Sequence, residues 1–125
     1  MLKKLFPIAL LAVLLTGCNA TFTNLTPRQQ VRNPDGLYPV EVAMNTRQGT
    51  LRWDSIEAKI MMGTNLFPMR QTLLMSNRWE GLVPVPADTN VVFYRYRLDF
   101  LYNDFGGPKK DSALSEQYRL LILDE

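Results

Sequence analysis

The chain has 125 residues, with 14 basic and 12 acidic side chains, one cysteine and no histidine. That inventory removes the usual general base, the ordinary zinc ligand sets and any intrachain disulfide, so stability has to come from packing and backbone hydrogen bonds. The near balance of charge lacks the basic excess that nucleic-acid binding requires, and nucleic acid is set aside as a partner.

In chain order, Lys3 and Lys4 precede an apolar run from Leu5 to Leu15, which closes in Leu15-Thr16-Gly17-Cys18. A charged start, an apolar middle and small residues before a cut site follow the order of a secretory signal, and helical periodicity is confined to it. The run, interrupted by Pro7, falls short of the roughly 20 residues needed to cross a bilayer core. LTGC resembles the lipobox of bacterial lipoproteins, with Leu15, Thr16 and Gly17 as the signal-peptidase motif. The resemblance implies cleavage before Cys18, a diacylglyceryl group on its sulfur and an acyl chain on its new amino end. A single chain would hold only marginally, so this processing supplies the number that stable attachment needs. Lipoproteins kept in the inner membrane of many Gram-negative bacteria carry Asp after the cysteine. Asn19 stands there instead, which implies the outer membrane.

Removing residues 1–17 takes away Lys3 and Lys4, so the remaining basic residues equal the 12 acidic ones. Roughly a hundred residues remain, enough for one domain. Residues 18–34 read as the lipidated N-terminus, a tether and a short first strand, with Phe22, Leu25 and Val31 as their large apolar side chains. Asn33-Pro34-Asp35-Gly36 is a turn signal that opens the domain at 35–125.

Leu37 to Met44 is the next strand, with Tyr38, Val40, Val42 and Met44 on one face. Leu51 to Met62 holds two apolar sets, Leu51 and Trp53, then Ile56, Ala58, Ile60 and Met62 at a period of two. Gly63-Thr64-Asn65 interrupts it, and Thr72 to Met75 reads as another short strand. Arg78 to Val85 sets Trp79, Gly81 and Val83 on one side, with Pro84 and Pro86 pointing to an edge strand or a strand end. Val91 to Tyr102 is the strongest strand: Val92, Tyr94, Tyr96, Leu98, Phe100 and Tyr102 alternate with Arg95, Arg97 and Asp99. Asn103 to Ser115 reads as a loop and Tyr118 to Leu123 as the last strand. A helix over Ser112 to Leu123 is the alternative, against which Tyr-Arg-Leu-Leu-Ile-Leu favours a strand. About seven strands in ~100 residues have the size and spacing of an all-β, immunoglobulin-like sandwich.

Phe67-Pro68-Met69, then Asn77 to Pro86, then Val91 to Leu98 is similar to an early-set immunoglobulin-like domain. The order resembles that of glycogen- and starch-binding modules, in which a tryptophan-led strand, a proline-bounded turn and a tyrosine-rich strand follow one another. The chain departs from those modules in lacking a tryptophan-rich loop before the Pro-Met segment.

Trp53 and Trp79 are the first candidates for binding, because a flat indole stacks on the apolar face of a sugar and also anchors protein interfaces. Tyr94 and Tyr96 are the next, and for all four the competing role is core packing. Asp54, Glu57 and Glu80 lie near the tryptophans without a catalytic spacing. Gly106-Gly107-Pro108-Lys109-Lys110 lacks the Ser or Thr and the glycine spacing of a phosphate loop and reads as a mobile hairpin loop. The expectation is a lipid-anchored cell-envelope protein without catalytic activity or a metal. Acyl chains on Cys18 would tie it to a membrane, and its domain would serve a binding or structural role through an envelope protein partner. A carbohydrate-binding module using exposed Trp and Tyr residues is the alternative.

Overall fold

The computed structural model of the protein describes residues 20–47 and 49–124. The signal segment, the LTGC motif and Cys18 lie outside them. Along the chain run β1 (Ala20–Asn24), β2 (Gln29–Val31), β3 (Leu37–Thr46), β4 (Leu51–Met62), β5 (Asn65–Pro68), β6 (Arg70–Gln71), β7 (Arg78–Pro84), β8 (Val91–Asp104), β9 (Gly107–Leu114) and β10 (Tyr118–Leu123). The described residues are all-β and build a two-sheet sandwich.

One sheet has the order β1-β3-β7-β6, and the other β2-β10-β8-β4-β5 with β9 also on β8. This order matches the ABED and GFC sheets of the immunoglobulin arrangement, with β5 added outside β4. β2 joins β10 in parallel while β1 joins β3 antiparallel, so residues 20–31 contribute a strand to each sheet.

Alternation explains why these segments pair as they do. Tyr38, Val40, Val42 and Met44 of β3 are buried, as are Trp79 and Val83 of β7. From the facing sheet come Ala58 and Ile60 of β4, Tyr94, Tyr96, Leu98 and Phe100 of β8, and Leu120 and Ile122 of β10. Side chains on the other faces of these strands point to water, which is what a period of two produces in a two-layer fold. Gly81 sits in a tight place: a Cβ there would lie 3.1 Å from the Pro68 carbonyl oxygen and 3.1 Å from Ile60 Cδ1, so its neighbours would have to give way slightly. Glycine thus lets the end of β5 pass close over β7.

Three readings of the sequence are corrected. Thr72 to Met75 is a turn between β6 and β7 and not a strand, because neither Leu73 nor Leu74 finds a surface to cover, and Leu74 adopts a left-handed φ of 64°. Asn103 to Ser115 is mostly strand, with the hairpin loop confined to its tip: β8 continues to Asp104 and returns as β9, in register from Arg97↔Leu114 to Asp104↔Gly107. Its tip uses positive φ at Gly106 and Gly107. β9 is exposed on both faces over Pro108 to Ser112, so no apolar alternation marks it. The strand count is ten and not seven, because the first strand divides between the sheets, the last is split at Ser115 to Gln117, and β5 and β6 are short edge pieces.

Two serines repair the ladders of β8. Between Arg52↔Leu101 and Glu57↔Asp99 the register on β4 slips, which leaves residues 53–56 as a bulge opposite Phe100. Ser55 Oγ accepts the Leu101 N–H at 2.8 Å and donates to the Arg52 carbonyl, standing in for the missing backbone groups. On the opposite edge, Ser115 Oγ accepts the Tyr96 N–H at 2.8 Å, and the Ser115 N–H donates to the Tyr96 carbonyl at 2.9 Å.

Candidate functional site

The four aromatic candidates separate by exposure. Trp79, Tyr94 and Tyr96 are sealed between the sheets, whereas Trp53 is 38% exposed. The bulge on β4 carries Trp53 outward. Beside it is an open groove of about 420 Å³ bordered by Asp54, Glu57, Lys59, Met69 and Gln71. Trp79 contributes to the lining of the same groove, so the structure brings the two tryptophans to one place while leaving only Trp53 with a face that a ligand can reach.

Tyr94 and Tyr96 instead form the polar heart of the core. Their rings meet edge to face at a centroid distance of 5.6 Å, and Tyr118 packs against both. The Tyr96 hydroxyl donates to Asn24 Oδ1 at 2.7 Å and lies 3.0 Å from Thr26 Oγ1. Thr26 Oγ1 accepts the Glu41 N–H at 2.8 Å, and Asn24 Nδ2 donates to the Tyr94 hydroxyl at 2.9 Å. These bonds tie β8 to the segment joining β1 and β2 and to β3, across the two sheets. Burial pushes the Tyr96 phenol well above its ordinary range, Tyr94 and Tyr118 adding to the effect while the Thr26 contact opposes it. Burial, aided by the charge of Glu116, also raises Tyr118.

The carboxylates near the tryptophans do not converge on a reacting position. Glu80 pairs with Arg70 at 3.1 Å, and Asp54 and Glu57 are exposed around the groove. Among the described residues, no three His, Cys, Asp or Glu side chains group as a metal site requires. A second cleft of about 740 Å³ lies where β4, β8 and β9 meet, and within its lining Asp99 pairs with Arg97 at 3.1 Å.

A third groove, of about 840 Å³, opens at the end of the sandwich where β3 begins and β7 ends. Leu37, Phe67, Val91 and Phe93 give it an apolar wall, and Phe93 is 52% exposed. Arg32 braces the nearby strand ends, donating to Asp124 Oδ1 at 2.9 Å and to the Pro86 carbonyl at 3.1 Å. The sequence reading did not single out this groove, whose apolar wall comes from three strands, β3, β5 and β8; the signal available was Leu37, Val91 and Phe93 on the polar phase of otherwise regular alternation. No protein-family model matches the chain, and comparisons with curated proteins and with solved structures found no match.

Proposed function

We propose that the chain is a bacterial lipoprotein whose β-sandwich, held at the outer membrane by acyl chains on Cys18, serves a non-catalytic role by binding an envelope protein. The observation that carries this reading is the LTGC motif at the end of a charged-then-apolar leader, with the first strand opening at Ala20, two residues beyond the cysteine. The open apolar groove at Leu37 and Phe93 supports a protein partner, because exposed aromatic and aliphatic side chains in a concave setting are what interface anchors fit. Cys18→Ala is expected to abolish lipid labelling and to release the protein from the membrane fraction; retained attachment would refute the anchor. A photo-crosslinker at Phe93 in native envelopes is expected to capture a defined neighbour, which Arg70→Ala on the edge of the other sheet leaves unaffected.

Carbohydrate binding is the second reading, favoured by Trp53 beside its groove. A sugar that stacks there should lose its affinity in Trp53→Ala. Binding that survives this substitution would eliminate the reading, since the other three aromatic candidates are enclosed.

A further inference from the structure

The three most exposed large apolar side chains among the described residues are Phe105 at 97%, Leu74 at 94% and Leu73 at 84%. They sit on two turns that the topology brings to one end. Ala20 pairs with Thr46, so β1 starts where β3 finishes. The Met44 N–H donates to the Asn77 carbonyl, which places the 72–77 turn at that end. The Asn103 N–H donates to the Thr50 carbonyl, which brings the β8–β9 tip there as well. Arg47, Lys109 and Lys110 are exposed around the same turns, with Asp104 as a carboxylate neighbour.

We propose that this end is a lipid-docking face, with Phe105, Leu73 and Leu74 entering the surface of the bilayer that holds the acyl chains of Cys18. The inference rests on the anchor proposed above. Cys18 precedes Ala20 by two residues, and an extended chain spans at most about 3.6 Å per residue, so the acylated sulfur stays within a short reach of this end. A bilayer at that distance meets the turn tips before any other part of the sandwich. Apolar side chains at the tips, with lysine and arginine behind them, are the arrangement in which apolar groups enter the acyl boundary and cationic ends remain among the headgroups. Leu74 adds an independent indication. Its left-handed φ would suit Gly or Asn, yet the position holds a branched apolar residue that gains nothing from burial in the isolated domain.

The test uses the full lipoprotein reconstituted in phosphatidylethanolamine–phosphatidylglycerol vesicles, with a single thiol introduced by Phe105→Cys, Leu73→Cys or, at the opposite end, Asp88→Cys. An acylated Cys18 leaves only the introduced thiol to take an environment-sensitive dye. Nitroxide-bearing lipids are expected to quench dye at positions 105 and 73 severalfold more than at 88. Vesicle-bound protein with equal quenching at the three positions would overturn the docking face and leave the anchor standing. A parent chain that takes dye at Cys18, or that fails to float with the vesicles, would overturn the anchor and this orientation with it. Tips unquenched in vesicles but shielded from thiol reagents in native envelopes would assign this end to a protein partner and overturn the lipid assignment.

Discussion

The Tyr96 hydroxyl reaches Asn24, Thr26 and the Glu41 carbonyl, partners drawn from the opposite side of the sandwich. Tyr96→Phe would take one partner each from Asn24 Oδ1, which still accepts the Thr26 N–H, and from the Thr26 hydroxyl, which keeps Glu41, at a cost of about 0.5–1.5 kcal/mol. Thr26→Val should cost a similar amount, and in the double variant the two losses should sum to less than their total, because both act on one network. Urea unfolding of the three variants measures this. The same phenol gives a pH dependence. Its proton is held to higher pH in the folded chain than in the unfolded one, whose tyrosines titrate near ~10. The folded state therefore binds more protons above that value, and the stabilisation is complete below pH ~10 and declines as pH rises past it. The unfolding midpoint should fall with increasing pH in this range, less steeply in Tyr96→Phe. The alternation of β8 already marked Tyr94 and Tyr96 for the interior in the sequence. Their polar partners were not legible, since Asn24-Leu25-Thr26 lies 70 residues and more away and reads as a polar tether.

At the level of the strand, the two serines beside β8 predict unequal losses. Ser115 is buried and Ser55 half-buried, so Ser115→Ala should destabilise by about 1–3 kcal/mol, and Ser55→Ala by less because water can reach the freed Leu101 N–H. Hydrogen exchange at the Tyr96 and Leu101 amides would resolve the two effects separately. The bulge that Ser55 repairs was visible as a phase slip between Leu51-Trp53 and Ile56-Ala58-Ile60, because one face cannot carry both sets without extra residues. The tip of the β8–β9 hairpin was legible in Gly106-Gly107, but its returning strand was not, for the opposite reason: Pro108-Lys109-Lys110-Asp111-Ser112 covers no core and so carries no pattern. Leu73-Leu74 misled because adjacent apolar residues with strand propensity resemble a short strand, while the turn geometry is set by the strands on either side.

For the whole molecule, the two-layer architecture was legible because five long strands keep an apolar phase, and the sheet assignment was not, because pairing depends on contacts distant in sequence. A domain without disulfides depends on that central packing. Leu98→Ala or Ile60→Ala, each at a fully enclosed position, should cost about 2–5 kcal/mol, read from the shift of the urea midpoint. The strands at the sheet margins are short: β2 has 3 residues, β5 has 4 and β6 has 2. β9 is longer, with 8 residues, and among the described residues it pairs only with β8. Its free side runs past a proline, which has no N–H to offer, and two lysines, whose charges repel a second copy. At high local concentration a bare strand margin would pair two copies edge to edge. Pro108→Val with Lys110→Val should therefore let two copies pair β9 against β9, read as a rise in the sedimentation coefficient of the purified protein, so the same residues that hide the strand in the sequence keep its margin single.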